Sequence, residues 1–284
     1  MQTVKLLLNL VTIGLLFIAN AESSDQKNQI TILYDSFGAE AGYEQDWGFS
    51  ALIKFQGQHI LFDTGNKSKI FKHNVETANV DLSIVDFAVI SHRHGDHIDG
   101  LYHLFEVKPT VPVYTPDEEF VLFARVRPTH KYKEATSRVN SGPRWQDADI
   151  IKVDNTQEIA PNVFVISTVR KRSGSASLQE LSLALQTSEG LVVIVGCSHP
   201  GITNIITEAS KIDARIVNIF GGLHLLRTPS NKITSIANSL RNELNVQEIS
   251  PGHCTGKTAK EILNATFKKD FNYAGLGTTL PIPD

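Results

Sequence analysis

The residues with the clearest chemical potential lie in one short segment, residues 91–100, which reads Ser-His-Arg-His-Gly-Asp-His-Ile-Asp-Gly. Four of its side chains are of types that bind metal ions: His92, His94, Asp96 and His97. They follow an apolar run at residues 84–90, which predicts a buried strand. A strand that ends in this motif and leads into a helix can direct several imidazoles and a carboxylate into one space. Because the whole chain has only ten histidines, the clustering favours a metal site over a polar strand-end loop.

Four other loops share a property with this segment, because each follows an apolar strand and carries a residue of ligand type. They are the loops at residues 63–65, 196–199, 221–224 and 250–256. The residues of interest in them are Asp63, Cys197, His199, His224, His253 and Cys254. A single histidine after a strand is usually structural. Several such loops beside a four-ligand cluster instead predict that the strand ends converge at one edge of the fold.

Hydrophobic patterns predict the elements that position these loops. The predicted strands are residues 30–34, 49–55, 59–62, 84–90, 111–114, 163–166, 181–185, 191–195, 215–220 and 246–249. The predicted helices are residues 68–77, 101–105, 202–210, 233–243 and one that begins near residue 258. Strands and helices alternate in both halves, which predicts an α/β fold with two sheets packed face to face and helices outside.

The N-terminus is typical of a secretory signal peptide. Lys5 precedes an apolar stretch at residues 6–18, and Ala-Asn-Ala at residues 19–21 resembles a cleavage site. We therefore predict a signal peptide at residues 1–21, a mature domain at residues 22–284, and a secreted or periplasmic protein. A retained N-terminal anchor is the alternative. No later stretch is long and apolar enough to predict a membrane span in the mature chain.

Charge is unevenly distributed along the chain. The net charge of −3 gives no overall signal for nucleic-acid binding. Residues 125–144 nevertheless hold six basic residues and one acid. We interpret residues 117–150 as a basic, partly helical insertion near the site. It either supplies cations to an anionic substrate or is a solvated surface loop.

The two cysteines, Cys197 and Cys254, allow two interpretations. An exported protein with one cysteine pair often forms a disulfide. Each cysteine, however, lies within two residues of a histidine in a predicted ligand loop. A disulfide and two thiols near a metal both remain open at this point.

The sequence resembles the metallo-β-lactamase-fold superfamily over essentially the whole mature chain. The matching features are Asp63 after a hairpin, the His-x-His-x-Asp-His signature, and the later loops at His199 and His253. Gly-Cys-Ser-His, Gly-Gly-Leu-His and Pro-Gly-His-Cys-Thr-Gly are similar to one branch. Its members are labelled 7,8-dihydropterin-6-methyl-4-(β-D-ribofuranosyl)aminobenzene-5′-phosphate synthase-like.

This resemblance implies an αββα sandwich with one or two divalent ions, most readily zinc, at its edge. It implies that one ion is held by His92, His94 and His199, and a second by Asp96, His97 and His253. Asp63 would accept a proton from a ligand histidine and orient its ring. His224 would contact substrate, form a structural turn or act as a ligand.

The sequence departs from the superfamily pattern at Cys197, which stands where most members with two ions have a bridging aspartate. Cys197 is therefore a possible ligand or bridging residue. The position of the third histidine ligand is also open, since either His199 or Glu180 on the preceding strand could occupy it.

The ligand set predicts a metallohydrolase. A metal-bound hydroxide would attack a small anionic ester, phosphodiester, thioester or lactone, and zinc, manganese or iron would suit the ligands. Asp96 could serve as the catalytic base if only one ion binds. The alternatives are a pterin or ribosyl-phosphate synthase-like transferase and a metal-binding protein without catalysis. The expected partner is a small molecule rather than nucleic acid, and the sequence does not determine the oligomeric state.

Overall fold

The computed structural model describes residues 27–38, 40–118, 148–171 and 177–284. Within these ranges the chain forms two mixed β-sheets. The strands are β1 Gln29–Tyr34, β2 Ser50–Phe55, β3 Gln58–Phe62, β4 Phe87–Val89, β5 Pro112–Pro116, β6 Asp149–Val153, β7 Gln157–Ala160, β8 Val163–Arg170, β9 Leu178–Thr187, β10 Gly190–Val195, β11 Ile216–Gly222, β12 Glu248–Gly252 and β13 Thr279–Pro281. The first sheet has the order β13-β1-β2-β3-β4-β5-β6, and the second has the order β12-β11-β10-β9-β8-β7.

Helices cover the outer face of each sheet. They are α1 Ser68–Thr77, α2 Gly95–Ile98, α3 Leu101–Val107, α4 Ile202–Ala209, α5 Ser230–Asn238 and α6 Lys257–Phe267. One apolar cluster packs α1 and α3 on the first sheet, and another packs α4, α5 and α6 on the second. A third cluster fills the space between the sheets, with side chains such as Ile53, Phe62, Leu183 and Ile194. The predicted two-sheet sandwich with outer helices is confirmed.

The strand directions place the predicted ligand loops together. Strands β3 and β4 run parallel in the first sheet, and β10, β11 and β12 run parallel in the second. The carboxyl ends of parallel neighbours lie at the same edge of a sheet. Asp63 follows β3, the His92–His97 cluster follows β4, and Cys197, His224 and His253 follow β10, β11 and β12. A hydrogen bond of 2.7 Å from Leu181 N to Ser91 O joins the two sheets beside these ends.

The predicted strand at residues 84–90 was too long. The strand contains only Phe87–Val89, and Leu82–Ile84 form a short 3₁₀ turn. The physical reason is the carboxylate of Asp81, which accepts a hydrogen bond from Ser83 N and caps the turn. Ile84 is consequently exposed rather than part of a buried strand.

Three strands were missed by the sequence patterns: β6, β7 and β13. All three lie at or near sheet edges and have half-exposed patterns, so they lack the continuous apolar run of a central strand. Strand β6 begins inside the predicted insertion at residues 117–150, so the insertion ends earlier than predicted. Most of that insertion, residues 119–147, and the predicted signal peptide at residues 1–21 lie outside the described residues.

No helix within the described ranges is long and apolar enough to cross a membrane.

Candidate metal centre

Three histidine nitrogens converge in a first group formed by His92, His94 and His199. Nε2 of His92 lies 2.9 Å from Nδ1 of His94, and Nε2 of His199 lies 3.1 Å from the same Nδ1. The loop after β4 supplies two of these rings, and the loop after β10 supplies the third. His92 is fully buried, whereas the other two side chains are partly exposed.

A second group lies beside the first and contains Asp96, His97, Cys197 and His253. Their ligand atoms all lie within 4.8 Å of one another. Oδ2 of Asp96 is 3.6 Å from Nε2 of His97 and 3.5 Å from Nε2 of His253. The sequence-predicted pairing of ligands into two sets therefore corresponds to two spatial groups, with Cys197 added to the second.

The donor atoms fit a divalent metal ion. Both ring nitrogens of His253 are buried and have no hydrogen-bond partner in the described structure. A buried polar atom without a partner is costly unless something binds it. Tetrahedral ligands about 2.0–2.1 Å from zinc lie roughly 3.3 Å apart, close to the nitrogen separations in the first group. Imidazole, carboxylate and thiol groups together are a ligand set for zinc and neighbouring metals.

Asp63 orients the ring of His97, as predicted. Its Oδ2 lies 2.6 Å from His97 Nδ1, which leaves Nε2 to face the second group. Its carboxylate also accepts hydrogen bonds from the backbone N–H and the hydroxyl of Ser91. The Ser91 hydroxyl lies 2.8 Å from Nδ1 of His92, so Asp63 and Ser91 link both groups through one buried network.

Glu180 does not replace His199 as a ligand. Its Oε1 accepts hydrogen bonds from the backbone N–H groups of Cys197 and Ser198 at 2.9 and 2.6 Å. Its Oε2 accepts one from His199 N at 2.7 Å. Both carboxylate oxygens are therefore used to hold the loop, and the structure brings His199 to His92 and His94. Of the two alternatives left by the sequence, the geometry agrees with His199.

Asp35 holds the His253 loop in a similar way. It directly follows β1 and is fully buried. Its Oδ2 accepts a hydrogen bond of 2.8 Å from His253 N, and its Oδ1 accepts one from Phe37 N. Burial raises the pKa of Asp35 to about 6. The ring of Trp47 packs 4.9 Å from the His253 ring.

The comparisons with known proteins agree with this geometry. A family model described as anti-Pycsar protein Apyc1 matches residues 38–125, which include Asp63 and the His92–His97 cluster. The 7,8-dihydropterin-6-methyl-4-(β-D-ribofuranosyl)-aminobenzene-5′-phosphate synthase of Methanocaldococcus jannaschii is 26% identical over 292 residues, which cover 89% of this chain and 96% of the relative.

Solved structures extend the likeness to the whole fold. A metal-dependent hydrolase of the β-lactamase superfamily is 28% identical, with a TM-score of 0.72, over 90% of this chain and 100% of that one. The chain resembles the metallo-β-lactamase superfamily in sequence and has its fold. The metallo-β-lactamase-fold protein YhfI of Bacillus subtilis shares the fold at 14% identity and a TM-score of 0.60, over 90% and 99% of the two chains. The predicted superfamily and its synthase-like branch are thus both supported.

The structure brings Cys197, which follows β10, to the second group. Its Sγ lies 3.4 Å from Nε2 of His97. It also lies 3.4 Å from Sγ of Cys254. Both cysteines are buried and free, so the described structure contains no disulfide between them. Of the two interpretations that the sequence left open, the structure has the thiols.

Electrostatics keep the first group neutral. Burial and the neighbouring histidines hold the pKa of His92 well below its ordinary value. Burial lowers the pKa of His94 to about 4, and burial together with His224 lowers that of His199. A metal ion binds the unprotonated form of imidazole. These three rings are already unprotonated at neutral pH, so an ion displaces no proton from them.

The second group is charged instead. Burial disfavours the imidazolium of His97, but the carboxylates of Asp63 and Asp96 outweigh burial and raise the pKa of His97 to about 9. Burial likewise disfavours the carboxylate of Asp96, yet His97 and His253 hold its pKa well below the usual range. Asp96 is therefore ionised at neutral pH.

His224 lies next to the two groups but in neither of them. Its ring centroid is 4.2 Å from that of His199, and its side chain is exposed. Its ring shares a third small group with Cys197 and Cys254. Like Asp63, Ser198 and His253, it has a left-handed backbone, with φ of 52°. Such conformations cost energy in non-glycine residues and occur often at functional loops.

The sequence patterns did not identify three residues that hold the ligand loops in place: Ser91, Glu180 and Asp35. Glu180 was weighed only as a ligand. Asp35 carries the same signal as Asp63, namely an acidic residue directly after an apolar strand. Ser91 directly precedes the ligand motif but has no signal of its own.

Proposed function

We propose that the protein is an exported metal-dependent hydrolase that acts on a small anionic ester, phosphodiester, thioester or lactone. The observation that carries this proposal is the convergence of the two ligand groups at one edge of the sandwich. His94, Asp96 and His199 are partly exposed there, whereas His92, His97 and His253 lie behind them. Within the described residues, a substrate can therefore reach the groups from the side of His94, Asp96 and His199.

A divalent ion, most readily zinc, held by the first group would lower the pKa of a water ligand and polarise the bond to be cleaved. The chain itself supplies the proton acceptor. Asp96 is ionised, its side chain is 18% exposed, and it lies on the open side of the second group. If only one ion binds, in the first group, Asp96 is free to take a proton from an incoming water, while the Asp63–His97 contact keeps the ring behind it in place.

The charges around the site support an anionic substrate. Arg93 is engaged, since its guanidinium bonds to Glu118 and to Ser177 O. Arg170 lies at the end of β8, and its buried Nε has no partner within the described residues. Burial is the main cause of the lowered pKa of His199, and the charge of Arg170 adds to it. The contact with Cys254 raises the pKa of His224, and Arg170 opposes that shift. A cation of this kind favours binding of a phosphate or carboxylate.

The comparisons add support of a coarser kind. The solved relative at 28% identity is described as a metal-dependent hydrolase. The proposal includes hydrolysis by this chain, the substrate class and zinc as the ion. It also includes export, which would give a mature protein beginning at Glu22.

The test is a metal analysis of the mature protein together with a panel of phosphodiester, ester, thioester and lactone substrates. We expect turnover that is lost on chelation, returns with zinc or manganese, and falls at least 100-fold in Asp96→Asn. Asp99→Asn is the matched control, because Asp99 lies in the same loop and its carboxylate accepts a hydrogen bond from Ser68 N. A protein that binds metal but hydrolyses none of these substrates would contradict the proposal.

A second candidate is a synthase. The archaeal relative is named as the synthase of 7,8-dihydropterin-6-methyl-4-(β-D-ribofuranosyl)-aminobenzene-5′-phosphate, and the match spans 89% of this chain. The two candidates differ in product. Incubation with a 7,8-dihydropterin whose 6-methyl carbon carries a leaving group such as diphosphate, and with 4-(β-D-ribofuranosyl)aminobenzene 5′-phosphate, would give a coupled product and the released leaving group from a synthase, detected by mass, and no coupled product from a hydrolase. The predicted export argues against this candidate, because such pterin precursors are cytoplasmic metabolites.

A further inference from the structure

A third group of ligand atoms lies beside the two already described. Sγ of Cys197, Sγ of Cys254 and a ring nitrogen of His224 lie within 4.8 Å of one another. We propose that these three residues form a separate binding site for a thiophilic metal ion such as zinc, cadmium or copper(I). The inference goes beyond hydrolysis, because it assigns a role to Cys254 and His224 that the proposed reaction does not need.

The fold builds this group across three neighbouring strand ends. Cys197 follows β10, Cys254 follows β12, and β11 lies between them and ends in Gly221-Gly222. A Cβ atom on Gly222 would lie 2.8 Å from Sγ of Cys254 and 2.4 Å from Gly196 O. Only glycine at this position lets the two sulfurs meet over the end of β11.

The distances suit a metal ion. The two sulfurs are 3.4 Å apart, whereas two thiolates at a zinc–sulfur distance of about 2.3 Å would be roughly 3.8 Å apart in tetrahedral geometry. A small movement of the two sulfurs away from each other would therefore give tetrahedral geometry. The backbone N–H of His224 donates to Sγ of Cys254 at 3.2 Å, an interaction that stabilises a sulfur carrying negative charge.

The ligand types set the class of ion. Two sulfurs and one imidazole select zinc, cadmium or copper(I) over magnesium, calcium or manganese. The two cysteines are buried, but His224 is exposed. An ion from solvent can therefore reach the two buried sulfurs past the exposed side chain of His224. Cys197 also belongs to the second group, so its sulfur is the point at which the two sites join.

The experiment uses the full mature protein, reduced and metal-free, with cadmium as the probe. Thiolate-to-cadmium absorption and bound cadmium per chain are followed during titration. We expect Cys254→Ser to bind one cadmium ion fewer than the wild type and to lose about half of the thiolate absorption. Manganese binding, which does not use sulfur, should stay the same.

His224→Gln is the second variant, because an exposed side chain can be replaced without disturbing the buried core. We expect it to weaken the extra cadmium ion at least tenfold and leave the thermal midpoint of unfolding unchanged. His73→Gln is the matched control, since His73 is an exposed residue of α1 whose ring bonds to Gly42 O.

Two results would overturn the proposal. One is a cadmium count and absorption that stay the same in both Cys254→Ser and His224→Gln. The other is a purified protein whose mass, under non-reducing conditions, shows a Cys197–Cys254 disulfide that must be reduced before cadmium binds. Neither result depends on catalytic activity, so failure of the hydrolase proposal would be recognised separately.

Discussion

The carboxylate of Glu180 receives the backbone N–H of His199 at 2.7 Å, and its other oxygen receives the N–H groups of Cys197 and Ser198. One buried acid on β9 thus fixes three successive residues of the loop that supplies ligands to both groups. Burial raises the pKa of Glu180 to about 7, although the three N–H donors oppose that shift. The charge of Glu180 is therefore sensitive to its surroundings, whereas its hydrogen-bonding role is set by geometry.

Glu180→Gln tests this role. An amide keeps one oxygen but replaces the other with an N–H₂ group, which would face the N–H of His199. Leaving a buried donor unpaired costs about 1–3 kcal/mol. Loss of a residue that supports ligands typically weakens metal binding about 10–100-fold. We expect both effects, measured by urea unfolding and by metal titration.

The matched control for Glu180→Gln is Glu189→Gln, because Glu189 lies exposed in the turn between β9 and β10. It should change neither quantity. Equal metal affinity in the wild type and Glu180→Gln would show that the loop holds its shape without the carboxylate.

Asp35→Asn should act on the second group alone. Asp35 supports His253 but touches neither His92, His94 nor His199 in the described structure. The asparagine keeps one acceptor and presents an N–H₂ group to the other donor, so the His253 backbone loses its partner. We expect one ion to be lost or weakened about 10–100-fold, with the other ion unaffected.

Elemental analysis after dialysis checks this prediction. Asp81→Asn is the control, because Asp81 caps an exposed turn and asparagine caps equally well. Loss of both ions in Asp35→Asn would mean that the two groups do not bind independently.

His253→Ala tests the assignment of the second group directly. The ring is fully buried and neither of its nitrogens has a hydrogen-bond partner in the described residues, which is the environment expected of a metal ligand. We expect bound metal to fall by one ion per chain, measured by elemental analysis. His73→Ala, far from the groups, should leave the count unchanged. An unchanged count in His253→Ala would remove His253 from the ligand set.

Much of the fold was predictable because its central strands and helices are locally determined. Strand β10, for example, is a continuous buried run, and α1 has the same bounds as its sequence pattern. The ligand motif was predictable for the same reason, since His92, His94, Asp96 and His97 are close in sequence. Local patterns cannot, however, identify edge strands such as β13, which exists because it pairs with β1 at the opposite end of the chain.

The supporting acids were harder to predict, because their roles depend on contacts between distant residues. Asp35 and His253 are separated by 218 residues, and nothing near either one in sequence indicates the other. The contact between Cys197 and Cys254 depends on the register of β10, β11 and β12, which only the assembled sheet specifies. In each case the sequence indicated the chemistry of which a residue is capable, but not the distant residue that it contacts.

The two groups should also differ in the pH dependence of metal binding. In the first group, His92, His94 and His199 have lowered pKa values, so an ion displaces no proton there above about pH 5. In the second, the pKa of His97 is about 9, so below pH 9 an ion must displace the imidazolium proton. Its affinity should therefore rise about tenfold per pH unit up to pH 9 and then level off.

Calorimetry in two buffers of different ionisation enthalpy would measure the protons that each ion displaces. Asp63→Asn removes the carboxylate that raises the pKa of His97 and should reduce the proton release; equal proton release by both ions would contradict this assignment.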